Sequence, residues 1–229
     1  MLNITRDFAD EYPSAQVIGT DLSPTQPNFV PANLQFEVDD CCDTWTFSEN
    51  SFDYIHVRGL YGCVADWPLF YKQAYKCLKP GAYLEQAEMD ITFKCEDNSV
   101  PPESAMGRWG PTFLGAAEKF GKSLSIATEM KGHIENAGFV DVVERTIKMP
   151  VGPWSSNRRL KEVGLWNQLM CEESIEMWAL AMATRILGWD LTKTRLFLAE
   201  MRKNLRDRSM HSYFDWVIVT ARKPEEKAE

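Results

Sequence analysis

The chain has 229 residues, with 25 Lys and Arg against 33 Asp and Glu and a formal net charge of −8; such a surface repels phosphates and lipid headgroups, which excludes a general grip on nucleic acid or an anionic membrane. Hydrophobic residues at 45% suffice for the core of one soluble domain, with no run of about 18 apolar residues to span a bilayer and no apolar stretch in the first ten residues for an export signal. The six cysteines (Cys41, Cys42, Cys63, Cys77, Cys95 and Cys171) show no C-x-x-C spacing and no nearby histidines, which points to reduced thiols in the cytoplasm or the nucleus and to no metal site.

Leu2, Ile4, Phe8, Ala9 and Tyr12 recur at helical spacing and predict a short amphipathic helix over 3–12, stopped by Pro13. "AQVIGTDLS" (15–23) reads as an apolar strand, "LQFEVDD" (34–40) as an alternating one, and "SFDYIHVRG" (51–59) as a third with Phe52, Tyr54, His56 and Arg58 on one face. "WPLFYKQAYKCLKPG" (67–81) has helical spacing and a stop signal at Pro80-Gly81. A fourth strand follows in "AYLEQAEMD" (82–90), then a helix over 125–139 capped by Gly138, and a strand over 140–151. Residues 157–205 hold two or three helices, the first with an apolar stripe of Leu160, Val163, Trp166, Leu169 and Met170. "YFDWVIVTARKP" (213–224) closes the chain, and the charged tail 225–229 is expected to fray. Alternating strands and helices predict a single domain over 1–224: a doubly wound, Rossmann-like α/β sheet with a helical insertion before its last strand.

In such sheets ligands lie at the carboxyl ends of the strands. Asp21 stands at one such end, where a carboxylate can accept both hydroxyls of a ribose; a turn-forming role before Pro24 fits it equally well. Asp39 and Asp40 follow the next strand in the same relation, suited to an exocyclic amine or to a solvated turn.

The stretches "VIGTDLSP", "FEVDDC", "SFDYIHVR", "DWPLFYKQAYKCLKPGAYLE", "AGFVDVVERTIKMPVGPW", "RILGW" and "LRDRSMHSYFDWVIVTARKP" resemble class I S-adenosylmethionine-dependent methyltransferases, in particular a fungal secondary-metabolism branch of the velvet-associated regulator type. The resemblance implies S-adenosylmethionine as cofactor, with Asp21 on the ribose, Asp40 and the Cys41 amide on the adenine, and Val57 and Arg58 beside the methionine moiety. Leu22 and Asp39 join that edge. It also implies a central first strand and a Gly-x-Gly-x-Gly turn ahead of the first helix, which the sequence from Met1 does not contain. Only glycine lets backbone amides approach a cofactor so closely, so weakened or lost cofactor binding is expected. The sheet itself then needs repair, for a lost central strand costs more than the roughly 5–15 kcal/mol by which domains are stable. Residues 1–5 could form a substitute strand, the neighbouring strands could pair directly, a second copy could complete the sheet as a homodimer, or the sequence could be part of a longer protein.

For chemistry, His56 is a candidate base, with a buried structural role as its rival, and Arg58 a candidate for holding a carboxylate or enolate. His211 and Tyr213 enter the last strand where the insertion meets the active edge. Tyr61, Trp67, Trp109, Trp154 and Trp166 are candidate aromatic walls for a flat or polyene-like small molecule. The expected activity is O- or N-methyl transfer to a small secondary metabolite. A cofactor-independent cyclase or isomerase using a vacated cleft, and an inactive partner of a methyltransferase, are the alternatives.

Overall fold

A computed structural model describes residues 2–24 and 29–225; the end of the predicted tail, 226–229, lies outside the described residues. The chain runs α1 (Leu2–Glu11), β1 (Val17–Asp21), β2 (Leu34–Val38), β3 (Phe52–Arg58), α2 (Trp67–Cys77), β4 (Leu78–Met89), α3 (Ala105–Phe120), α4 (Ile126–Asn136), β5 (Val140–Pro150), α5 (Arg158–Ala181), a π-helical turn (Met182–Ile186), α6 (Leu191–Arg206) and β6 (Tyr213–Arg222). The helical insertion between the last two strands is present, as expected.

The strands form two sheets. β1 and β2 pair in parallel, Val17 opposite Leu34 and Asp21 opposite Val38. The second sheet has the order β3-β4-β6-β5, with β3 and β4 parallel and the other pairs antiparallel. Among the described residues no ladder joins β1 to β3. Two of the expected repairs are therefore not used. Residues 2–5 belong to α1 rather than to a strand, and β1 and β3 do not close up. Instead α1 packs on β1 and β2 and reaches the other sheet through Phe8, whose ring stacks on Tyr54 of β3 with centroids 6.1 Å apart. Its end is clamped by Asn33, whose Nδ2 donates to the carbonyls of Ala9, Tyr12 and Ala15.

Asp66 caps α2 by accepting from the Leu69 amide at 2.8 Å, with Pro68 in the first turn. The helix ends at Cys77, before the predicted stop at Pro80-Gly81. Its last carbonyls, on Lys76 and Cys77, are taken by the amides of Asn50 and Ser51. Leu78 then starts β4 directly, and Pro80 and Gly81 lie inside that strand.

Helix α3 has no counterpart among the predicted elements, because Gly107, Gly110, Pro111 and Gly115 read as breakers. Two of those glycines are close-approach positions. A Cβ on Gly107 would lie 2.9 Å from the Pro102 Cα and within reach of the Pro101 carbonyl, and one on Gly110 would lie 2.6 Å from Thr92 Oγ1. Ser104 caps the start through the Gly107 amide, and Gly121 at φ 74° ends it.

Two apolar cores result. Trp67, Phe70 and Tyr71 of α2 meet Leu84, Val219 and Met130 under the sheet, and a second core gathers Met106, Trp109, Ile175, Leu198, Met201 and Phe214 between the sheet end and the helices. The expected stripe on α5 is corrected here. Leu160, Trp166, Leu169 and Met170 are exposed, while Gly164, Cys171, Ile175 and Ala179 form the buried face. No helix among the described residues is long and apolar enough to cross a membrane.

Candidate active site

The loops that follow β1, β2 and β3 converge on one rim. After β1, Asp21 Oδ1 accepts from the Ser23 amide at 3.0 Å, an Asx turn that orients the carboxylate, and the Asp21 carbonyl holds the Asp39 amide at 3.1 Å. After β2, Asp40 Oδ1 accepts from the Cys42 amide at 2.9 Å, and the Trp45 indole donates to the Cys41 carbonyl at 3.1 Å. Cys42 Sγ reaches the Cys63 carbonyl in the loop after β3 at 3.5 Å. Burial pushes the Cys63 thiol up against the pull of Lys122, and Glu88, Cys42 and Asp21 add to the rise. Beside Asp21, Leu22 is 67% exposed, an apolar side chain held out at the rim.

Asp40, Cys41 and Cys42 bring one carboxylate and two thiols within 4.8 Å of one another. Burial first, and Cys42 second, push the Cys41 thiol up to about 12.

β3 contributes side chains to both of its faces. Val57 packs into the core with Trp67 and Phe70 and does not line the rim. Arg58 lies over the Trp216 ring at 4.8 Å and has no carboxylate partner among the described residues. His56 Nδ1 sits 3.1 Å from Glu85 Oε1, which also accepts from the Tyr54 hydroxyl at 3.0 Å. Burial lowers the His56 pKa, Glu85 opposes this and Arg58 adds to it, so the imidazole is neutral near pH 7. The expected base is therefore tied into a Tyr–His–Glu cluster that faces α1.

Glu88, on β4, is buried and holds the loop after β3. Its carboxylate accepts from the amides of Leu60 at 3.0 Å and Tyr61 at 3.3 Å, and from Gln86 Nε2 at 3.0 Å. Gln86 in turn accepts from the Tyr71 hydroxyl at 2.5 Å. Burial raises the Glu88 pKa, and these hydrogen bonds lower it in part. No expectation covered this pair, although two polar side chains two apart in an otherwise apolar stretch, "AEM" preceded by Gln86, were a readable signal of a buried polar network.

The loop so held forms one wall of a cavity of about 480 Å³, through Tyr61, Gly62 and Cys63. The remaining walls are apolar except for Arg185: Met89 at the end of β4, Ile91 and Phe93 just after it, Trp109 and Phe113 on α3, Met177 and Trp178 on α5, and Met182 and Arg185 in the π turn. Burial, and next Glu88, push the Tyr61 phenol up to about 12, so it faces the cavity as a neutral hydroxyl.

Of the expected aromatic walls, Tyr61 and Trp109 line this cavity and the other three do not. Trp67 is core, with its indole N–H buried and without an acceptor among the described residues. Trp166 is 67% exposed on the outer side of α5. Trp154 lines a separate recess of about 250 Å³ and donates to the Ser212 carbonyl. His211 packs on Trp154 at 5.5 Å and pairs with Asp97 at 2.5 Å. Tyr213 carries Lys148 over its ring at 5.1 Å, and its neighbour Phe214 is the residue of β6 that lines the cavity. Strand alternation thus turns Tyr213 away, and neither His211 nor Tyr213 joins the larger cavity.

With this geometry in hand, the description of a methyltransferase domain matches residues 3–144. The chain belongs to the methyltransferase domain family. It is 34% identical over 218 residues to the methyltransferase pytC of Aspergillus terreus, covering 95% of this chain and 67% of that protein. To the secondary metabolism regulator LAE1 of Cochliobolus heterostrophus it is 34% identical over 223 residues, covering 96% and 73% respectively. Among solved structures, the phosphoethanolamine N-methyltransferase 2 of Haemonchus contortus in complex with S-adenosyl-L-methionine is similar with a TM-score of 0.56 at 19% identity, over 96% of this chain and 46% of that one. The fold of this methyltransferase domain is accordingly the Rossmann-like one of its family, with β1 and β3 unjoined.

Proposed function

We propose that this domain binds S-adenosylmethionine along the Asp21–Asp40 rim and methylates an oxygen or nitrogen atom of a small secondary metabolite seated in the 480 Å³ cavity. One observation carries the reading: a single short loop, Gly59 to Asp66, touches the Asp40–Cys42 loop on one side and walls the cavity on the other. The residues present fit the adenosine half of the cofactor. Asp21 offers an oriented carboxylate to the ribose hydroxyls, Leu22 an exposed apolar cover for the adenine, and Asp40 with the Cys41 amide a partner for its polar edge. Arg58, without a carboxylate partner among the described residues, is a cation available to an amino-acid carboxylate.

When bound, the cofactor supplies an electrophilic methyl group. The protein's part is then alignment and exclusion of water. Apolar walls dry the cavity, the neutral Tyr61 phenol donates a hydrogen bond inside it, and Glu88 fixes the shared loop at a constant spacing from both ligands. Calorimetric titration with S-adenosylhomocysteine tests this. Micromolar binding is expected, lost on Asp21→Ala; heats that are absent, or unchanged in the variant, overturn the reading.

The unjoined edges of β1 and β3 favour a second reading, in which another chain or a second copy supplies a parallel strand between them. Light scattering that finds only monomer at high concentration counts against the second-copy form. For either reading a cytoplasmic or nuclear setting is proposed.

A further inference from the structure

Toward its C-terminal end α5 presents Met177, Trp178 and Ala181 to the large cavity, and the π-helical turn continues that face with Met182, Arg185 and Ile186. The widened turn is set by the Leu187 amide donating to the Met182 carbonyl at 3.0 Å, and the helix ends where the Trp189 amide donates to the Ala183 carbonyl at 2.9 Å past Gly188 at φ 68°. Such single π turns insert an extra residue into a helix and recur at functional sites. Arg185 follows Met177 and Ala181 at four-residue spacing and so lies on the cavity wall.

Arg185 is the one charged side chain among those that line this cavity. Among the described residues it has no hydrogen bond, ion pair or ring contact. Arg202 pairs with Glu176, Arg206 with Glu172 and Arg108 with Glu200, whereas Arg185 shares its lack of an ion pair among the described residues with Arg158, Arg159 and Arg195 but is the one of these that lines the cavity. In a chain of net charge −8, carboxylates are plentiful, and an arginine with none beside it among the described residues, at the wall of an apolar cavity, can offer its guanidinium to an anion.

We infer that the cavity takes an amphipathic carboxylic acid, with a flat aromatic or polyene body between Trp109, Phe113 and Trp178 and its carboxylate on the Arg185 guanidinium. The planar guanidinium fork matches a carboxylate through two parallel N–H donors, and a volume of about 480 Å³ admits a body of several fused rings. The inference rests on the proposal above that this cavity is the substrate side of the site, and it can fail separately, because binding here is measured without cofactor.

The test uses 1-pyrenebutyric acid and its neutral counterpart 1-pyrenebutanol, followed by pyrene fluorescence anisotropy. The acid is expected to bind about fivefold more tightly than the alcohol, the size of a charge-assisted hydrogen bond discounted for an exposed cation. Arg185→Gln should erase that preference while leaving the alcohol unchanged, Arg185→Lys should keep part of it, and Arg185→Glu should reverse it. Ala181→Trp, which fills the cavity, should weaken both probes alike. Equal binding of the two probes by the unaltered protein, a preference that survives Arg185→Gln, or binding indifferent to Ala181→Trp would each overturn the inference. S-adenosylhomocysteine binding is read in the same preparations, so loss of the methyltransferase reading is seen apart from loss of this one.

Discussion

Two alanine substitutions in α3 should move stability in opposite directions, although by propensity alone both would stabilise. Replacing an interior helical glycine by alanine gains roughly 1 kcal/mol. At Gly115 a Cβ would meet nothing within 4 Å, so Gly115→Ala should realise most of that gain. At Gly107 the new methyl would meet backbone on the opposing turn, the Pro101 carbonyl and the Pro102 Cα at 2.9 Å, and neither can swing aside as a side chain would. Overpacking of this kind costs about 1–3 kcal/mol, here toward the upper end because backbone must shift. Gly107 also lies in the first turn, where the propensity gain is smallest. The expected net loss is about 2 kcal/mol. Thermal unfolding followed by far-ultraviolet circular dichroism should therefore place Gly115→Ala about 2–4 °C above the parent and Gly107→Ala about 4–8 °C below it. Because α3 carries Trp109 and Phe113, the second variant should also loosen the cavity wall and weaken pyrenebutanol binding. A Gly107→Ala protein as stable as Gly115→Ala would refute the seating of α3 on residues 101–102, and with it the shape of the cavity.

The buried Glu88 makes a pH-dependent contribution. Its folded pKa is raised above the ordinary 4.5, so the contribution is fully present below pH 4.5 and is lost as pH rises through the folded value; urea midpoints measured between pH 4 and 7 should fall less with pH in Glu88→Gln than in the parent. Cys41 and Cys171, both pushed up to about 12 chiefly by burial, should stay unlabelled by iodoacetamide at pH 8 in the folded protein, as read by peptide mass spectrometry, and become labelled in denaturant.

What the sequence made legible follows the strength of local signals. The strands ending at Asp21, Val38 and Arg58 are short apolar or alternating runs bounded by polar turns, and each lies within two residues of where the pattern put it. The turn at Gly138, with φ 97°, is likewise a backbone requirement written in one residue. Helix α3 was illegible because a glycine chosen for close packing looks the same in sequence as one chosen to break a helix. The stripe on α5 misled for a related reason. Its buried face is built on Gly164 and Ala179, small residues that let β5 and the neighbouring helices approach, so the large apolar residues fell on the outside. Aromatic content alone could not sort Trp67 from Trp109, since both are buried and only the path of α3 makes one of them a cavity wall. Arg185 shares a helix face with Met177 and Ala181 at four-residue spacing, but only the path of α3 and β4 shows that this face walls a cavity.

The split between the sheets gives α1 a role that its length does not suggest. Among the described residues, Val17 to Asp21 and Phe52 to Arg58 each keep one unpaired edge, and Ile18 and Tyr54 are more than a third exposed on strands that a continuous sheet would cover on both sides. What keeps the two halves in register is the Phe8–Tyr54 stack on one side and the Cys42–Cys63 contact at the rim on the other, with Asn33 fixing the end of α1 to the start of β2. The rim holds Asp21 and Asp40 on one half and the Glu88-anchored loop on the other, and the loop after β2 is also tied to α2 by Trp45 and Asp43 hydrogen-bonding Gln73 and by Trp45 packing on Phe70. A parallel strand entering between β1 and β3 would have to lie beneath α1, and Phe8 is the ring that must then give way. If the cofactor binds at the rim as proposed, Phe8→Ala, which removes the Phe8–Tyr54 stack, should both weaken S-adenosylhomocysteine binding in calorimetry and raise any tendency to associate seen by light scattering; a variant that changes neither would refute that link.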